Sequence, residues 1–134
     1  MTLALRLIAL TLAPAVLAAP LAAQPAPIAA PVTLGEWIAR DQAAGRLAPS
    51  AERTAALDGL QRDILAALGA ARAGVEAQAA AAGPKPVTCL PPPGTPQLTS
   101  DELGMWLYTR PASAYGDTLE QVMARFLAHR FPCR

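Results

Sequence analysis

Aromatic side chains are scarce in this sequence, with two Trp, two Tyr and two Phe among 134 residues. Lysine and histidine occur once each, as Lys85 and His129, and cysteine twice, as Cys89 and Cys133. No run of like charge is present, and 11 basic against 10 acidic residues leave a net charge of +1. Each shortage excludes something. Without a basic patch there is no electrostatic footprint for nucleic acid or for an anionic membrane. One histidine and two cysteines provide no further ligands for a zinc site once the cysteines pair, and no close Cys-X-X-Cys redox motif exists. Alternating β-branched runs long enough for a strand are missing as well, so the expected fold is all-α.

What the chain has instead is alanine. Hydrophobic residues make up 53% of it, but alanine buries little area, so a core must come from a short list of Leu, Ile, Val, Phe and Trp. Ten of the eleven basic residues are Arg, which together with the abundant Ala and Pro reads as a GC-rich bacterial coding sequence.

The opening stretch, MTLALRLIALTLAPAVLAAPLAAQ, has Arg6 as its one charged side chain. An apolar run from Leu7 is interrupted by Pro14 and Pro20, too soon for a spanning helix. We read residues 1–23 as a secretory signal peptide cut near Ala18, Ala19 or Ala23, with an N-terminal membrane anchor as the alternative. No cysteine stands near the cleavage region for lipid attachment. Residues 24–32 form a Pro/Ala-rich flexible lead-in, and residues 33–134 one helical domain. The expected location is the periplasm or the medium. Removal of Arg6 with the signal leaves ten basic and ten acidic residues, a neutral mature chain with no call to bind a membrane.

About four helices are expected. Thr33 and Glu36 form a capping box ahead of Leu34, Trp37 and Ile38, and Gly45 is placed to stop that helix. Ser50 caps a long helix from about Ala51 to Ala82, with Leu57, Leu60, Ile64, Leu68, Ala71 and Val75 on one stripe. Glycines at 59, 69 and 74 weaken it by about 1 kcal/mol each against alanine. The prolines of CLPPPGTPQ exclude helix and hold that segment extended. Thr99 with Glu102 and Asp117 with Glu120 mark two further capping boxes. Leu103, Trp106 and Leu107 form one apolar face, and Leu119, Val122, Met123, Phe126 and Leu127 another. Trp106, Leu107, Met123, Phe126 and Leu127 are expected at the centre of the core.

Two cysteines in an exported chain are expected to pair, within one chain or, as the alternative, between two. Cys89 lies just ahead of the third helix and Cys133 just past the fourth. A short link, PASAYG, favours an antiparallel hairpin of these helices, which puts both cysteines at one end of it.

The stretch Cys89–Leu90–Pro91, the face from Leu103 to Leu107, Pro111, the stripe from Leu119 to Leu127 and the closing Phe131–Pro132–Cys133 resemble, in that order, the C-terminal half of the Rap/Tai-type immunity protein family. Members are small exported helical proteins, several of which protect bacteria against peptidoglycan-cleaving effectors of type VI secretion. The resemblance implies a non-enzymatic binding protein whose partner is such an effector or another cell-wall enzyme. Its lead into the third helix, CLPPPGTPQLTSDEL, is longer than the family's. A stress protein similar in plan to the HdeA-type periplasmic chaperones is the alternative.

No catalytic constellation stands out. His129 in a last helical turn suits the helix dipole, Asp101 and Glu102 suit a first turn, and Ser50, Ser100 and Ser113 lack a patterned base. We expect no enzyme activity, no cofactor and no metal, and a homodimer is compatible with the pattern. For a protein partner, the first contact candidates are Pro92, Pro93, Gly94, Thr95 and Pro96, since a restrained segment loses little entropy on docking. Tyr108, Arg110 and Tyr115 come next, as Tyr and Arg are enriched at interface hot spots.

Overall fold

A computed structural model describes residues 30–95 and 98–134. The expected signal peptide, residues 24–29 of the lead-in, and Pro96 lie outside the described residues. The chain is all-α: α1 (Leu34–Arg46), α2 (Ala51–Ala82), α3 (Ser100–Tyr108), a 3₁₀ turn (Ala112–Ala114) and α4 (Leu119–Arg130).

Helix α2 is the spine. Its 32 residues span about 48 Å at 1.5 Å per residue, and both α1 and α4 pack on it. The link Leu47–Ser50 folds α1 back over the start of α2. There the Trp37 indole N–H donates to the Leu60 carbonyl at 3.2 Å, and Arg40 pairs with Asp63 at 2.7 Å. Beneath α4 the buried residues of α2 are small, with Ala67 and Ala71 beside Leu60 and Val75. Alanine at a helix contact lets the two axes come close. Helix α4 then supplies Leu119, Val122, Met123, Phe126 and Leu127, each at most 3% exposed.

Helix α3 meets α4 as an antiparallel hairpin. Glu102 at the start of α3 pairs with Arg130 at the end of α4 at 2.7 Å. One turn on, Trp106 packs on Phe126 with ring centroids 5.5 Å apart. The expected intramolecular disulfide, Cys89–Cys133, closes the Glu102–Arg130 end, with Cα atoms 4.9 Å apart. Flanking residues pair as a short antiparallel ribbon: the Cys89 N–H donates to the Phe131 carbonyl at 2.8 Å and the Cys133 N–H to the Val87 carbonyl at 3.2 Å.

A second splice joins the beginnings of α1 and α4. Thr33 and Thr118 face each other in an antiparallel bridge. The Leu34 N–H donates to Asp117, the Leu119 N–H to Val32 and the Gly35 N–H to Tyr115. First-turn N–H groups have no partner inside their own helix, so each helix here uses the chain leading into the other. Gly35 favours this approach, since a Cβ there would meet the Tyr115 carbonyl oxygen at 3.1 Å and its Cβ at 3.2 Å and press the two segments apart by a few tenths of an ångström.

Several local expectations shift. Leu57 is 41% exposed, because the apolar stripe of α2 runs a turn beyond its cover. Helix α1 continues through Gly45 to Arg46 and ends at Leu47 in extended conformation, ahead of Ala48, which Pro49 keeps from continuing the helix. Thr99 caps α3 through the Glu102 N–H, but the Glu102 carboxylate goes to Arg130 instead of closing the box. At α4 the box is one residue later than expected, with Thr118 and Gln121 in place of Asp117 and Glu120. Asp117 is drawn to Arg125. Trp106 is half-buried rather than central.

Phe126, 2% exposed, should cost about 3–5 kcal/mol when cut to Ala, measured by urea unfolding. Loss of the disulfide in Cys133→Ser should cost about 2–5 kcal/mol, since it closes a loop with a sequence separation of 44. The same loss on adding reductant to the wild type would check that the bond, and not the serine, is responsible.

Candidate functional site

The segment expected to run extended turns back on itself. Pro92 accepts from the Thr95 N–H at 3.3 Å, and Gly94 has φ of 83°. With Pro93 and Gly94 as the two central residues this is a type II turn, since proline presets the first position and glycine takes the left-handed second. The turn's prolines restrain it as expected, but into a bend. Pro92, Pro93, Gly94 and Thr95 are all exposed.

Two ties fix the base of the turn. Arg72 of α2 donates through Nη2 to the Pro91 carbonyl at 2.6 Å, while its Nε pairs with Glu76 at 2.8 Å. Behind Leu90, the disulfide holds Cys89 to the end of the chain. Between the turn, α2 and the end of α4 lies an apolar groove of about 280 Å³, lined by Leu65, Leu68, Pro91, Thr95, Leu98 and Phe131 among others. Leu65 is 59% exposed on its edge. Sequence reasoning singled out this segment, but as an extended run, and missed the groove. Leu65, an apolar residue off the buried stripe of α2, was the available signal.

The second set of candidates is at the other end of α3 and is not brought together with the turn. Tyr108 donates to the Asp41 carboxylate of α1 and meets the Trp37 ring edge-on at 6.4 Å. Partial burial first, then the bond to Asp41, pushes its phenol from 10.0 up to about 12. Arg110 lays its guanidinium over the Trp106 ring, 3.5 Å from the centroid, and bonds the Trp106 carbonyl at 3.0 Å. Tyr115 is exposed, its carbonyl taken by Gly35. All three thus take part in holding the fold.

His129 stacks on Trp106 with centroids 4.9 Å apart, a packing role beside the dipole position expected of it. Its Trp106 neighbour has a buried indole N–H that no group among the described residues accepts. No group of three or more His, Cys, Asp or Glu placed to hold a metal occurs among the described residues, and no described helix is long and apolar enough to cross a membrane. The arrangement offers a restrained turn beside an apolar groove and, at the other end of α3, two partly exposed tyrosine rings, which suits contact with a macromolecule. No family model matches this chain, and neither a curated protein nor a solved structure was found to be similar to it.

The Tyr108–Asp41 tie has a pH signature. A phenol held neutral by the fold stabilises it below its unfolded value near 10.0 and loses that contribution as pH rises through about 12. Ultraviolet titration should show this tyrosine ionising near the upper value in the wild type. In Asp41→Asn its midpoint should move back toward 10.0.

Proposed function

We propose that this chain is an exported, non-enzymatic binding protein that resembles the type VI secretion immunity proteins and occludes a peptidoglycan-cleaving enzyme in the periplasm. The observation that carries the reading is the exposed Pro92–Thr95 turn, fixed at its base by Arg72 and by the disulfide beside an apolar groove. A loop already restrained in one shape keeps more of its contact energy as affinity, because less ordering entropy is lost on docking. The turn is the first contact element and the groove beside it receives an apolar side chain of the partner. Tyr108 and Arg110 are second in rank, since their polar ends are taken up within the chain.

The test is a chain shortened across Pro92 to Pro96, compared with the wild type for binding to a periplasmic cell-wall hydrolase and for protection of cells that express it. The shortened chain should keep its helical circular dichroism and bind at least about tenfold more weakly, the loss expected when a hot spot is removed. A shortened chain that folds and keeps both binding and protection would make the segment a mere connector between α2 and α3.

A further inference from the structure

Helix α2 has a second patterned face, opposite the one that meets α1 and α4. Ala51, Ala55, Asp58, Arg62, Leu65 and Gly69 follow one another at spacings of four and three, and all six are exposed. At 3.6 residues per turn they fall within about 80° of arc, a heptad seam with its own register. The buried residues of the helix, Leu60, Ala67, Ala71 and Val75, lie on the other side.

This seam is complementary to itself. Two copies of α2 laid antiparallel about a two-fold axis at residue 60 bring Asp58 opposite Arg62 of the second copy, twice. The next layers set the large Leu65 against the small Ala55, and Gly69 against Ala51, again twice each. Charge meets opposite charge at the centre, bulk meets space in the next layer, and the small Ala51 and Gly69 let the helices stay close beyond it. Among the described residues, neither Asp58 nor Arg62 has an ion-pair partner within the chain. Arg62 instead rests its Nε on the Asp58 carbonyl at 3.3 Å. A shallow groove of about 540 Å³ runs over Ala55, Asp58, Arg62 and Leu65. Gly69 has nothing within 4 Å of where a Cβ would stand, which leaves room there for a second helix.

We propose that this face of α2 is a homodimer interface, an antiparallel helix pair centred on reciprocal Asp58–Arg62 ion pairs and flanked by Leu65 over Ala55. A two-fold axis makes each contact occur twice, which is why one short seam suffices. The seam is narrower than the ~800 Å² per partner of a standard interface, so the dimer forms and dissociates with concentration.

Sedimentation velocity of the mature wild-type chain over a wide concentration range is the test. The sedimentation coefficient should rise from the monomer toward the dimer value, and Leu65→Glu should remain monomeric throughout. Asp58→Arg and Arg62→Asp should each weaken association at least about tenfold, and the double variant carrying both changes should recover it, because the swapped charges again meet across the axis. Circular dichroism should be unchanged in all four, as every altered side chain is exposed. A wild type that stays monomeric, or a dimer that survives both Leu65→Glu and Asp58→Arg, would overturn the interface.

Discussion

With six aromatic residues in 134, the core has to come from close approach rather than bulk, and the rest of the structure follows from how α4 meets α2. Ala67 and Ala71 remove the side chains that would hold the two helices apart. Leu119, Val122, Met123 and Leu127 of α4 then bury almost completely in the core they share with α2, while Phe126 buries on Trp106 of α3. Alanine is favourable for this twice over: it is the strongest helix former, and it loses no rotamer freedom on burial. The same economy leaves little to hold α3, which reaches the core mainly through Leu107 and the half-buried Trp106. Its position depends on ties at both ends, the disulfide and Glu102–Arg130 at one, Tyr108–Asp41 at the other.

Polar groups are used sparingly and at joints. The Thr33 capping box lowers the Glu36 carboxyl below its ordinary value, chiefly through the hydrogen bond from the Thr33 backbone. Arg40–Asp63 fastens α1 to α2, and Arg125–Asp117 fastens α4 to the chain that leads into it. All are surface pairs, each worth little alone. What they add is register: they fix which turn of one helix faces which turn of another, a choice that a core of small uniform side chains leaves open.

Helices α1, α2 and α3 were legible because their signals are local, a cap three residues from its partner and an apolar stripe at helical spacing. The start of α4 was off by one for a reason that is not local. Asp117 and Thr118 are both good caps, and the choice is made by Val32 and Thr33, more than 80 residues away, which pair with Thr118 and Leu119. Glu102 likewise had a local partner and took a distant one. Of the candidate site, the turn could be read from Pro-Pro-Gly, although its bend was taken for an extended run. Of the groove, Leu65 alone carried a signal, because Leu98 and Phe131 come from separate stretches that no spacing connects to it. Nor could the sequence pair Tyr108 with an aspartate 67 residues earlier.

The splice between the starts of α1 and α4 has a consequence in time. A ribosome delivers α1 and α2 first; they can pack on each other, but the first turn of α1 and the small face of α2 lack their partner until α4 follows. The carbonyls of Tyr115 and Asp117, the five buried residues of α4 and Cys133 all lie between residues 115 and 133, C-terminal to both α1 and α2. Until these emerge, Leu34, Ala67 and Ala71 face water, and the incomplete chain stays open to cleavage or to a passing chaperone. Closure of the fold therefore waits for α4 and the residues that lead into it. A chain cut before α4 would lose five of the buried core residues at once, together with the splice that holds the start of α1.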